Sequence, residues 1–310
     1  MTLSRSSHRM FKAVGHCIYC GSDGQPEGLT REHIFPFSLG GTLTLPKSSC
    51  VVCARITRDF EQTCARGMFG KLRILFNLPT QHKKQRPTEL PVEIVIGGNE
   101  RIISVPIADC PSVPVGFPVF DKPGIMRGGK PGEPFRRASI KPVLPYIADN
   151  NERIARLFAR FQEPINFRVR SRLSIGPFVR MLAKIAHSFA VAEFGADSFE
   201  YMLPDVILGK RADSFLIGCD EGFSILNGLE YKDVMHSLNF SKLEFVSKKE
   251  GAPEVILEQY LAAIIRLFKN LDTPTYYVII GIPGPKVLEA LNGPSLAVSE
   301  WRRPPLSAGR

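Results

Sequence analysis

The rhythm of apolar and polar positions changes several times along the chain. Val92-Glu-Ile-Val-Ile96 and Arg101-Ile-Ile-Ser-Val-Pro-Ile107 are short runs rich in branched residues, and both predict strands. Gly97, Gly98 and Asn99 between them suit a hairpin turn. Gly124 to Pro134, crowded with Gly and Pro, reads as a loop. Phe178, Leu182, Ile185, Phe189 and Ala192 then recur at helical spacing, which predicts a helix to Phe194 with Gly195 as its C-cap. Phe215–Cys219, Phe223–Leu226, Leu243–Val246 and Tyr276–Ile280 read as strands. Val255 to Phe268 begins like a strand and then predicts a helix through Tyr260-Leu-Ala-Ala-Ile-Ile-Arg-Leu-Phe268.

These textures divide the chain. Residues 1–12 are polar and basic, and are expected to be mobile. Residues 13–75 hold a cysteine cluster, 76–150 form a β segment cut by Pro and Gly, and 151–298 form an α+β domain without a recognisable catalytic signature. Residues 299–310, rich in Pro, Arg and Ser and holding Trp301, read as a tail. No apolar run approaches the roughly 20 residues needed to cross a bilayer, and the polar N-terminus lacks the apolar stretch of a signal peptide. The expectation is a cytoplasmic protein with reduced thiols.

Charge sharpens that picture. The net charge is +10, and residues 1–90 carry 13 Lys/Arg against 6 Asp/Glu, hence +7 of it. A cationic excess of this kind points to a polyanionic partner or to a basic surface kept for solubility. It lies with the cysteines.

Cys17-Ile-Tyr-Cys20 and Cys50-Val-Val-Cys53 each place two thiols two residues apart. Two such pairs can close the four-thiolate tetrahedron preferred by structural zinc, whereas four separately buried thiols would need no matched spacing. Gly21 after the first pair suits the positive φ of a knuckle turn. Cys64, Cys110 and Cys219 stand alone and are expected in the core, as is His187 in its apolar helical run. A closed four-sulfur site leaves no position for substrate, so any chemistry lies between the pairs. There the chain reads Leu29-Thr-Arg-Glu-His-Ile-Phe-Pro-Phe-Ser-Leu-Gly-Gly41.

Taken together, the first cysteine pair, Glu32-His33-Ile34 with Pro36, the Leu39-Gly40-Gly41 turn and a second pair opening a helix resemble the HNH endonuclease superfamily. The branch with paired zinc-knuckle cysteines (HNH_5-like) is closest, and the resemblance spans about residues 14–73. It implies a treble-clef-like ββα-metal module followed by the larger α+β domain. It implies Cys17, Cys20, Cys50 and Cys53 as ligands of a structural Zn²⁺, His33 as the base that activates water against a phosphodiester, and Glu32 as a ligand of catalytic Mg²⁺ or Mn²⁺. The implied partner is nucleic acid, DNA first. Elementary chemistry agrees, since an imidazole can take a proton near neutrality and a carboxylate suits a hard cation. One constraint applies: neighbours on a strand point to opposite faces, so Glu32 and His33 share a site only if the backbone twists or bulges.

The family's pattern is also broken. Ala54 stands where Asn usually follows the second pair, and no His lies between His33 and His82. On the helix, Ala54, Thr57, Arg58 and Glu61 share one face, while Ile56, Phe60 and Cys64 share another, expected to be buried. Glu61 is the candidate replacement ligand. Arg31, Arg58, and Lys83, Lys84 and Arg86 of the following basic run are candidate phosphate contacts, against the plainer reading of solvated side chains. The alternation Phe167-Arg-Val-Arg-Ser-Arg-Leu173 could form a second basic stripe, against the plainer reading of a solvated loop. Two functions stay open: a metal-dependent nuclease with a remodelled site, or a zinc-stapled nucleic-acid-binding or structural module whose catalytic centre has decayed. The retained Glu32-His33 pair favours the first, and the absent Asn and His the second.

Overall fold

The computed structural model describes residues 10–135, 138–161, 165–167, 173–211, 214–220, 234–248, 255–292 and 299–302. Both helix and sheet contribute, so the fold is α+β. After the Cys17–Cys20 knuckle, β1 (Leu29–His33) pairs antiparallel with β2 (Thr44–Cys50), and β2 runs directly into α1 (Val51–Arg66). A short α2 (Gly70–Leu75) follows. This is the small cysteine-bearing module expected from the spacing.

The next segment is built of local hairpins. β3 (Glu89–Ile96) pairs with β4 (Asn99–Pro106) through a register that sets Ile96 opposite Asn99. Gly97 and Gly98 make the turn with φ of 53° and 80°, values that favour glycine and match the right-handed strand twist. β5 (Val115–Phe120) pairs with β6 (Ala138–Val143), and α3 (Asn150–Phe158) precedes β7 (Ile165–Phe167), which adds to the far edge of β3.

The remainder winds around one helix. α4 (Ile175–Phe194) ends where Gly195, at φ 96°, donates its N–H to the Val191 carbonyl. Then come β8 (Phe199–Tyr201), α5 (Pro204–Ile207), β9 (Ile217–Asp220), β10 (Val234–Lys248), β11 (Val255–Leu267), β12 (Thr275–Pro283), α6 (Pro285–Asn292) and β13 (Ser299–Arg302). The strands form a sheet in the order β13-β10-β11-β12-β8, with β9 also on β12. Ser299–Arg302, which composition assigns to a tail, is thus an edge strand, with Trp301 opposite His236. Phe223–Leu226 and residues 168–172 of the second basic stripe lie outside the described residues.

The helix expected over Tyr260–Phe268 is corrected to strand. β11 pairs with β10 from Val255 to Leu267 and with β12 from Leu261 to Ile265. A continuous apolar run fits a buried strand as well as a buried helix, and ladders on both edges decide here over local propensity.

The core does not divide at the module boundary. One apolar cluster runs from Cys17 and Ile18 through Phe60, Phe69 and Phe178 to Phe268 and Val287. α4 lies at its centre, packed against α1 on one side and β11 and β12 on the other. Cys64, Cys110 and Cys219 are buried, as expected. Among the described residues no helix is long and apolar enough to cross a membrane.

Candidate functional site

The cysteines are the first part of the site to be fixed. The knuckle closes where Cys17 accepts at its carbonyl from Gly21 N–H, at 2.8 Å, with Gly21 at φ 76°. Cys50 is the N-cap of α1, and its Sγ accepts from Cys53 N–H. All four ligand sulfurs lie within 4.8 Å of one another, and Cys20 Sγ is 3.7 Å from Cys50 Sγ. Zinc–sulfur bonds of about 2.3 Å set the corners of a tetrahedron roughly 3.8 Å apart, so this donor set fits Zn²⁺. Burial first, and then its neighbouring thiols, push the Cys53 thiol well up. A cation at the centre would reverse that by stabilising thiolates.

The hairpin sets Glu32 and His33. Its register shifts between Thr30 and Glu32, the irregularity that the adjacent pair required. Past β1 the chain turns through Leu39-Gly40-Gly41. Gly40 has φ 90°, and at Gly41 a side chain would run into the Phe35 carbonyl. Glu32 is buried, whereas His33 stays half-buried with its ring 5.9 Å from that of Phe37.

Glu61, two turns along α1, does converge on Glu32. The convergence is on a lysine. Lys184 Nζ from α4 lies 2.8 Å from Glu32 Oε1 and 2.7 Å from Glu61 Oε1, with no exposure of its side chain. It also donates to the carbonyls of His33 and of Ile34, the latter at 3.3 Å. Burial opposes the lysine's charge, but Glu32 and Glu61 outweigh it and hold its pKa above the ordinary value. Burial lifts Glu61 against the pull of Lys184. Arg180 and His187 lie on the same face of α4, one turn to either side. Arg180 covers the Phe60 ring of α1 at 4.9 Å, and His187 Nε2 donates to Ile18 O of the knuckle at 2.8 Å.

Beside this knot lies a cavity of about 600 Å³, lined by Glu32, His33 and Glu61 and by Arg31, Arg58, Arg66, Arg73 and Arg86. Arg73 donates to Ser38 O at 2.9 Å, and burial followed by the charges of Arg86 and Arg66 depresses its pKa. Arg86 donates to Asn77 Oδ1 and Leu78 O. Guanidiniums gathered in this way make the cavity wall predominantly cationic. Burial, then the charges of Lys184 and Arg31, pull His33 down to about 4, so its imidazole is neutral at pH 7. His33 Nδ1 has no hydrogen-bond partner.

The knuckle, hairpin and helix bring four cysteines that could hold a metal ion beside an arginine-lined cavity. Residues 17–65 match the family model described as HNH endonuclease. No curated protein and no solved structure matches the chain.

Arg31, Arg58 and Arg86 of the sequence-based candidates reach the cavity, Arg58 as an exposed residue 3.9 Å from Asp59. Lys83 and Lys84 sit on an exposed turn outside its wall. Of the helix face expected to be buried, Phe60 and Cys64 are enclosed and Ile56 only partly. Sequence reasoning missed Arg66, Arg73 and Lys184. Only Lys184 left a trace, as a charge set between Ala183, Ile185 and Ala186 in an apolar helix.

Proposed function

We propose that the cavity binds the phosphodiester backbone of a nucleic acid, DNA in the first instance, and that His33 acts there as general base in its hydrolysis. The observation that carries this reading is the placement of a neutral, half-buried imidazole in the wall of a cavity with five arginines. The arginines hold and neutralise the phosphate, and the imidazole takes a proton from the attacking water. Zinc, when bound, ties the knuckle to the first turn of α1, and so fixes the hairpin against the helix.

A second reading is a nucleic-acid-binding module without cleavage. Ala54 in place of the usual Asn, and the Lys184 ammonium on both carboxylates, favour it. One experiment separates the two: labelled DNA and RNA are incubated with the zinc-loaded protein and with its His33→Ala and Arg73→Ala variants. The nuclease reading expects cleavage lost by at least about 100-fold in His33→Ala, the scale of a general base. Arg73→Ala should bind more weakly, with a shallower salt dependence. Tight binding with no cleavage by the parent protein selects the second reading. No salt-dependent binding at all rules out both.

A further inference from the structure

We propose that the Lys184 ammonium is the resident cation of the Glu32–Glu61 pair and stands where an HNH-type site would seat a divalent metal. The proposal rests on reading these two glutamates as that site's carboxylates. Divalent Mg²⁺ or Mn²⁺ needs carboxylate oxygens at about 2.0–2.2 Å and room for several waters. Between Glu32 and Glu61 both conditions fail. Lys184 Nζ lies 2.8 and 2.7 Å from one oxygen of each, and two main-chain carbonyls also accept from it. An ammonium has three protons to share among these four oxygens, so none is free.

Nor can the lysine step aside as a surface residue would. It is fully buried, and its helix is pinned one turn away on either side by Arg180 on Phe60 and His187 on Ile18. A divalent ion entering beside it would meet a fixed positive charge, with Arg31 close by; evicting it would leave an ammonium in an apolar helix packing. The donor set has changed in the same direction. Ala54 offers no ligand atom, and no histidine follows on α1.

The lysine also does something a metal would not. By holding the His33 and Ile34 carbonyls it fixes the end of β1 that carries the imidazole, so Lys184 is a positioning residue supplied from outside the module. Its charge is single and permanent. The pair therefore serves to orient rather than to bind an exchangeable ion.

The test is metal binding, read without nucleic acid. The zinc-loaded protein is titrated with Mn²⁺ at neutral pH, and free Mn²⁺ is followed by electron paramagnetic resonance. The parent protein is expected to take up no stoichiometric Mn²⁺, and Glu61→Gln to leave the titration unchanged. Lys184→Ala is expected to gain one Mn²⁺ equivalent, which the double variant Lys184→Ala with Glu61→Gln loses. Uptake of one equivalent by the parent protein, lost in Glu61→Gln, overturns the proposal, as does a folded Lys184→Ala that gains none. If Lys184→Ala does not fold, the parent and Glu61→Gln titrations decide alone. Because no substrate is present, failure of the nuclease reading leaves this result untouched.

Discussion

At the scale of single residues, the enclosed histidines show how strongly position decides chemistry. His236 Nε2 donates to Leu39 O at 2.8 Å, and its Nδ1 accepts from Phe268 N–H at 3.2 Å. A proton on Nδ1 would face that N–H, so protonation must break the contact. His187 likewise donates through Nε2 and buries Nδ1 without a partner. Burial pulls both pKa values down to about 4, against the small opposing effect of the carbonyl bonds. The ring C–H resonances of these two histidines should therefore stay unshifted between pH 7.5 and 5.5. Unfolded histidine titrates near 6.5, so between about pH 6.5 and 4 the unfolded chain takes up protons that the fold refuses. Stability should fall there as pH falls, by up to about 1.4 kcal/mol per pH unit for each ring. Glu61, held above its ordinary value, runs the other way, which makes magnetic resonance the cleaner measurement. A His236 ring titrating near 6.5 would show that the Leu39 and Phe268 contacts do not persist in solution.

At the scale of elements, α1 depends on the cysteines for its beginning. It starts at Val51, between the two ligands of the second pair, and its N-cap is a cysteine sulfur rather than Ser, Asp or Asn. Thiolates bound to zinc would meet the positive end of the helix dipole there, and the same ion would pin the knuckle. One zinc per chain is expected by elemental analysis. Its removal by a strong chelator should lower the melting temperature markedly and cost α1 helical signal, both restored on adding zinc back. Unchanged melting after complete zinc removal would make the cluster four buried thiols and nothing more. This element was legible because its information is local: a spacing of two residues, a glycine after the knuckle, a Glu-His pair. The β3–β4 hairpin was legible for the same reason, through Gly97 and Gly98. β11 was not. Whether Leu261-Ala-Ala-Ile-Ile265 is strand or helix is settled by β10 and β12, and no window of sequence contains that pairing.

At the scale of the molecule, the least legible part of the site is the one that joins its halves. Glu32 and Glu61 could be read as a converging pair, but what they converge on comes from a helix more than a hundred residues further on. Three long-range bonds repeat the arrangement: Lys184 to the hairpin, His187 to the knuckle, and His236 to Leu39 in the turn. Apolar packing follows the same route, because the Phe69 ring packs at a tilt against Phe117, Phe178 and Phe268, all outside the module. The sequence boundary near residue 75 is therefore a boundary of motif, and the module is expected to be no independent folding unit. A fragment of residues 10–87 would expose Phe60, Phe69 and Leu72 and leave Glu32 and Glu61 facing each other without their cation. Losing the partner of a buried charge alone costs about 3–5 kcal/mol, comparable to the whole stability of a small domain. With equimolar zinc, this fragment should give a poorly dispersed amide spectrum and no cooperative melt, although its cysteines still take up the metal. The full chain under the same conditions should melt cooperatively. A well-dispersed spectrum and a sharp transition from the fragment would mean that the zinc staple and hairpin suffice, and that α4 only docks onto a module already folded.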